Sequence, residues 1–169
     1  MSGLFRPVAY FDKLELLEPE VLLVKGYRWL LLDVDNTITT WNNRHLTPAV
    51  KQWFMAVSAA GLHACLLSNN SAERLQGLAA SLGIDFCAKA RKPLPQGYWR
   101  AVKQMGAKPS ATLMIGDQLL TDIMGAGLAG LDSVLLKPIS LAQDFRLTYV
   151  KRRIEKLFIK GVLARTPHN

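Results

Sequence analysis

The chain has 169 residues, half of them apolar and 20% charged, which excludes a disordered chain and suffices for one compact domain spanning 1–169. Its net charge is +8, too unevenly spread to describe the whole surface. Residues 1–143 carry 14 Lys/Arg against 11 Asp/Glu, and residues 144–169 carry 7 against 2.

Residues 1–28 read as a lead-in, with a short helix from Pro19 to Val24 that Gly26 ends. An apolar strand follows over 29–34. Thr47 and Pro48 open a helix as N-cap and first helical residue, and it runs to about Ala60. A strand covers His63 to Leu67, and Ser71 caps a helix ending near Gly83. Phe86 to Ala88 is a short strand, and Pro95 opens a helix to about Met105. A strand at Thr112 to Ile115 precedes a helix over Leu119 to about Leu128. Ser133 to Leu136 is the last strand, and a final helix covers 144–160. Short strands without a polar face, alternating with helices, predict an α/β fold: a parallel sheet with helices on both faces.

Cys65 and Cys87 fall in the predicted core and read as buried, reduced thiols. No Cys/His group has zinc-site spacing. No apolar run approaches the ~20 residues a membrane-spanning helix needs. The first residues lack the order of a secretory signal, so a cytoplasmic, non-secreted protein is expected.

The stretch Asp33-Val34-Asp35-Asn36-Thr37 carries the strongest chemical signal. Two carboxylates two residues apart, where a buried strand ends, repel each other and lose hydration. Such a pair calls for a cation, a shared proton or a chemical use. Three further features fall at successive strand ends: Ser68-Asn69-Asn70, Lys92-Pro93, and Gly116-Asp117 with Asp122. In a parallel sheet these ends share one rim, where ligands bind. Carboxylates there can hold Mg²⁺ and attack phosphorus, a hydroxyl and amides can bind phosphate oxygens, and a lysine offsets negative charge.

Asp-x-Asp-x-Thr, then Ser68, then Lys92-Pro93, then Gly-Asp-x4-Asp together resemble the four-motif signature of the haloacid dehalogenase (HAD) superfamily of phosphohydrolases. Asp-Asn-Thr at 35–37, Ser-Asn-Asn at 68–70, the run at 116–122 and Arg-Arg-Ile-Glu at 152–155 narrow the resemblance to the YqeG-type IIIA subfamily. Phosphatidylglycerophosphate phosphatases are similar to that subfamily. The resemblance implies a Rossmann-like HAD fold and hydrolysis of a phosphomonoester through an aspartyl-phosphate. It assigns Asp33 as nucleophile and Asp35 as acid, then base. Thr37 orients that region, and Ser68 with the Asn69 amide binds the transferred phosphoryl group. Lys92 stabilises the nucleophile and phosphoryl oxygens. Asp33, the main-chain carbonyl of Asp35, and Asp117 hold Mg²⁺, while Asp122 supports the metal shell or pairs with Lys92. The chain departs from the subfamily at Thr39-Thr40, where a more apolar continuation is expected, and at Gly125-Ala126-Gly127, which is smaller than usual.

Only 32 residues separate Asp35 from Ser68, and 23 separate Ser68 from Lys92. The predicted elements use both spans, so no cap domain is expected and the site should be open. An open site suits a phosphate on something large. Leu147, Val150, Ile154, Leu157 and Phe158 recur at helical spacing among Lys151, Arg152, Arg153, Lys156 and Lys160. This basic amphipathic pattern suits an anionic membrane surface, with Phe5, Tyr10 and Phe11 as further apolar anchors. Trp29, Trp41, Trp53 and Trp99 look structural, and no specific nucleic-acid binding is expected. The expected substrate is phosphatidylglycerophosphate, at the inner face of a membrane. A soluble phosphomonoester is the alternative within the same chemistry. A non-catalytic module binding an acidic partner is the alternative outside it.

Overall fold

The computed structural model describes residues 6–41, 43 and 45–140. They form a six-stranded sheet of β1 (Ala9–Phe11), β2 (Trp29–Leu32), β3 (His63–Leu67), β4 (Asp85–Cys87), β5 (Thr112–Gly116) and β6 (Asp132–Leu136). The spatial order is β1-β6-β5-β2-β3-β4 and every pairing is parallel. The connections carry α1 (Pro19–Val24), α2 (Pro48–Ala59), α3 (Ala72–Leu82), α4 (Pro95–Gln104) and α5 (Met124–Ala129).

The central strands lack a polar face because both faces are covered. On β2, Leu30 and Leu32 enter one apolar cluster with Val50, Trp53 and Phe54 of α2 and Leu75 and Leu78 of α3. Leu31 points the other way, into a cluster with Tyr98 and Ala101 of α4 and Ala126 of α5. All three leucines are fully buried, each contributing about 1.5–3 kcal/mol relative to exposure. Cys65 and Cys87 are free and buried in the second cluster. Trp53 donates its indole N–H to the Leu17 carbonyl at 2.6 Å, tying α2 to the segment before α1.

Helix starts follow their local chemistry. Thr47 Oγ1 accepts from the Val50 N–H at 3.2 Å, with Pro48 at the first helical position. Ser71 occupies the N-cap of α3, but its side chain makes no capping bond. Between β2 and β3 the described residues add one helix, α2, and between β3 and β4 one helix, α3. Neither connection contains a cap domain among the described residues.

Three expectations change. The lead-in contains a strand: β1 pairs with β6 through Ala9–Val134 and Phe11–Leu136. Tyr10 and Phe11 therefore pack in the sheet, Tyr10 beside Leu119 and Ile123 and Phe11 on the large cluster, rather than standing free as anchors. The strand expected over 29–34 ends at Leu32; the chain turns just beyond it, where the Ile38 N–H returns to the Val34 carbonyl. The helix expected from Leu119 begins as a π-helical turn over Leu119–Ile123 before α5. The helix expected over 144–160 and Phe5 lie outside the described residues. No described helix is long and apolar enough to cross a membrane.

Candidate active site

The strand order reverses at β2, whose neighbours are β3 on one side and β5 on the other. In an open parallel sheet the crevice at such a switch point is where ligands sit. Register does the gathering: Leu32 pairs with both Leu66 and Ile115. The chain leaving β2 at Asp33 thus lies beside the chains leaving β3 at Ser68 and β5 at Asp117. The Asp33 N–H continues the ladder to the Ile115 carbonyl at 2.9 Å, which fixes where its side chain starts.

The inner cluster is built on one buried lysine. Lys92 Nζ donates to Asp33 Oδ1 at 2.5 Å and to Asp122 Oδ1 at 2.7 Å. Thr37 Oγ1 spans the other side, 3.4 Å from Asp33 Oδ2 and 3.5 Å from Asp117 Oδ1. Asp33, Asp117 and Asp122 are all buried and bring one carboxylate oxygen each within 4.8 Å of the others. Burial pulls the Lys92 ammonium toward losing its proton, but Asp122 and Asp33 outweigh this and hold it charged. Burial raises the Asp122 carboxyl above its usual range, and Lys92 opposes the rise.

Three buried carboxylates around one ammonium leave an excess of negative charge, and the donors are all oxygen. That set fits a hard divalent cation. Asp122 has both oxygens engaged, Oδ1 by Lys92 and Oδ2 by the Gln118 N–H at 3.0 Å. It therefore positions Lys92, while Asp33 and Asp117, spanned by Thr37 Oγ1, bring one oxygen each into the same group. The Asp35 carboxylate is not part of this group; the expectation for Asp35 concerns its main-chain carbonyl.

Lys92 reaches inward because its loop is held from three sides. Lys89 and Arg91 adopt left-handed backbone, with φ of 48° and 57°. That geometry is costly for non-glycine residues and concentrates at functional sites. The Asn69 side chain brackets the Lys92 backbone, accepting its N–H at 2.6 Å and donating to its carbonyl at 3.1 Å. Arg100 of α4 donates to the Ala88 and Lys89 carbonyls. Gly97 of α4 lies so close to the Ala90 backbone that no Cβ would fit between them. Ser68 is buried, and its Oγ accepts the Asn70 N–H at 3.2 Å. Lys92, Asp33, Asp117 and Asp122 thus converge, Ser68 lies at the neighbouring strand end, and the Asn69 side chain faces the lysine loop.

The second Asp has its own environment. Asp35 Oδ1 is ion-paired with Arg74 of α3, and Oδ2 accepts from Asn70 Nδ2 at 2.5 Å. Burial raises the Asp35 carboxyl; the Arg74 hydrogen bond pulls it back, the Asp33 charge pushes it up, and the net is a rise. Sequence reasoning missed Arg74, which reads as an ordinary helix-surface residue. The side-chain role of Asn70 was missed too.

Thr39, one of the departures from the subfamily pattern, has a local role, and two glycines near the site are fixed by close packing. Thr39 Oγ1 donates to the Asn43 and His45 carbonyls, at 3.3 and 3.1 Å, and closes the loop after Asp35. Gly125 faces the ring and hydroxyl of Tyr98, and Gly116 faces the Asp122 carboxylate, each without room for a Cβ. The Tyr98 hydroxyl donates to the Thr121 carbonyl at 2.7 Å, supporting the turn that carries Asp122.

The sequence profile of the haloacid dehalogenase-like hydrolases matches residues 10–130. The "Probable phosphatase YqeG" of Bacillus subtilis (strain 168) is 31% identical over 162 residues, covering 96% of this chain and 94% of that protein. The chloroplastic/mitochondrial phosphatidylglycerophosphate phosphatase 1 of Arabidopsis thaliana is 28% identical over 156 residues, covering 86% of this chain but 44% of that protein. An uncharacterized protein from Listeria monocytogenes serotype 4b shares the fold in its crystal structure, with a TM-score of 0.57 at 20% identity over 76% of this chain and 97% of that one. With its strand-end carboxylates, buried lysine and parallel sheet, the chain belongs to the haloacid dehalogenase-like hydrolase family.

Proposed function

We propose that this protein hydrolyses a phosphomonoester through an aspartyl-phosphate on Asp33, and that its substrate is phosphatidylglycerophosphate. The observation that carries the chemistry is Lys92 Nζ held between Asp33 and Asp122 at 2.5 and 2.7 Å, in a group of three buried carboxylates. An Asp33 oxygen attacks phosphorus while the bond from phosphorus to the alcohol oxygen breaks. The alcohol oxygen keeps that electron pair and takes a proton from Asp35. A water then attacks the same phosphorus, gives its proton to Asp35, and the bond from phosphorus to Asp33 breaks, restoring both side chains. Lys92 screens the repulsion between carboxylate and phosphate dianion, and Ser68 with the Asn69 amide binds the non-reacting oxygens. Asp33, Asp117 and the Asp35 carbonyl would hold Mg²⁺, which supplies further positive charge to the phosphoryl group when bound.

The lipid assignment rests on similarity to the Arabidopsis thaliana phosphatase, on the lack of a cap domain among the described residues, and on the basic stretch 144–160. In this reading that stretch lies on the anionic inner face of a membrane. The test is Mg²⁺-dependent phosphate release from phosphatidylglycerophosphate in anionic mixed micelles, with Asp33→Asn as the blank. Release lost in the blank supports the whole reading. Turnover of an aryl phosphate without turnover of the lipid discards the substrate and keeps the chemistry. Silence on both substrates discards the hydrolase reading in favour of a binding module.

A further inference from the structure

Arg74 makes more contacts around Asp35 than a charge partner requires. Its Nη2 donates to Asp35 Oδ1 and also to the Trp41 carbonyl at 2.6 Å. The guanidinium carbon lies 4.5 Å from the centroid of the Trp41 ring, a cation–π distance. The other Asp35 oxygen is taken by Asn70, whose own N–H is fixed on Ser68 Oγ and whose carbonyl accepts the Lys89 N–H at 2.9 Å. The carboxylate is therefore held by two elements other than its own, α3 and the turn after β3. This placement has a cost: among the described residues, Arg74 Nε is buried with no hydrogen-bond partner. An orphaned buried donor opposes folding by about 1–3 kcal/mol. A simple surface staple would avoid that by turning outward.

We propose that Arg74 is a positioning residue for the proton transfer from Asp35 to the departing alcohol oxygen, with Trp41 as its backstop. The inference rests on the reading of Asp35 as proton donor. Nη2 and Asn70 fix the carboxylate rotamer, and the stacked Trp41 ring keeps the guanidinium from swinging into solvent. Trp41 lies in the loop that directly follows the Asp35 turn. That loop is closed by the Asn36 N–H on the Thr39 carbonyl at 2.7 Å and by Thr39 Oγ1 on His45. The position of the loop and the aim of the acid are thereby one degree of freedom. Misplacing a catalytic group by about 1 Å costs on the order of 10²-fold.

Leaving-group chemistry separates this role from a structural one. A 4-nitrophenolate departs without a proton, whereas an alkoxide needs one. The experiment measures kcat/KM for 4-nitrophenyl phosphate and benzyl phosphate with wild type, Arg74→Ala, Arg74→Lys and Trp41→Ala, in excess Mg²⁺. Arg74→Ala should lose about 10²-fold on benzyl phosphate, at least tenfold more than on 4-nitrophenyl phosphate. Trp41→Ala should bias the ratio in the same direction by a smaller factor. Arg74→Lys should recover part of the benzyl phosphate rate, since it keeps the charge and loses the fork and the stack. Equal losses on the two substrates, or no loss on benzyl phosphate, would overturn the proposal. If Arg74→Ala does not fold, Arg74→Lys and Trp41→Ala decide on the same ratio. Wild type without Asp33-dependent turnover of either phosphate would overturn the reading of Asp35 itself, and the proposal with it.

Discussion

Asp33 and Asp35 stand two residues apart, yet the fold gives them different surroundings. Asp33 faces inward to Lys92, which the loop after β4 delivers and which Asp122 shares. Asp35 faces the rim, where Arg74 from α3 and Asn70 from the turn after β3 meet it. An ammonium is a compact charge that can sit among several carboxylates, while a guanidinium fixes the orientation of one carboxylate. A repeated residue type in a motif is thus given two environments by which element supplies each cation. The proposed division, attack by one carboxylate and proton transfer by the other, rests on this difference.

The harshest way to break the comparison is at Asp33. Asp33→Asn should lower phosphate release by on the order of 10⁴-fold or more, since no other group can take its place. Its circular dichroism should stay that of the wild type. Lys92→Met comes next. It should slow turnover by about 10³-fold, and urea unfolding in chelator should show about 3–5 kcal/mol of lost stability because buried carboxylates are left uncompensated. Added Mg²⁺ should recover part of that stability by binding the folded form. If chelator and Mg²⁺ give the same midpoint for wild type and variant alike, the inner cluster is not a cation site.

Tyr98→Phe tests the floor under Asp122. It removes the side-chain bond to the Thr121 carbonyl and should cost about 1 kcal/mol in urea unfolding, with turnover reduced less than in Lys92→Met. The smallest effect near neutral pH lies away from both clusters. Burial pushes the Cys65 thiol up from 9.0 to about 12. Burial, then the Asp132 charge and hydrogen bond, pushes Tyr27 up from 10.0 to about 12. Both groups stay neutral longer in the folded chain than in the unfolded one. Their contribution to stability is whole below pH 9–10 and is lost as pH rises through about 12. Melting temperatures between pH 8 and pH 11.5 should fall for wild type and fall less for Cys65→Ala, from a lower start.

Much of the fold was legible because its signals are local. The run at 29–32 has no polar face, Thr47-Pro48 opens a helix, and Gly83 and Gly106 end two more. Strand β1 was not legible: three residues carry no period, and only pairing with β6 makes them a strand. The π-helical turn at Leu119–Ile123 escaped because it depends on the Ile123 N–H reaching the Gln118 carbonyl, a choice that residue type does not announce. At the site, Asp33, Lys92, Asp117 and Asp122 could be placed together because each follows a strand. Arg74 could not. It lies in the first turn of α3, beyond the turn that follows β3, and its partners lie 33 and 39 positions earlier in the chain. The Asn69 side chain was likewise beyond reach, since its partner is the backbone of a loop 23 positions away.

Gly97 carries a consequence for how variation in this chain should be interpreted. It touches no reacting group and sits on a helix, where replacing glycine by alanine ordinarily adds stability. Here any side chain would press on the Ala90 carbonyl, and the segment that yields is the one presenting Lys92. A survey of random substitutions should therefore find a loss-of-function position that scoring by chemistry would pass as harmless. Its severity should follow the size of the new side chain rather than its polarity.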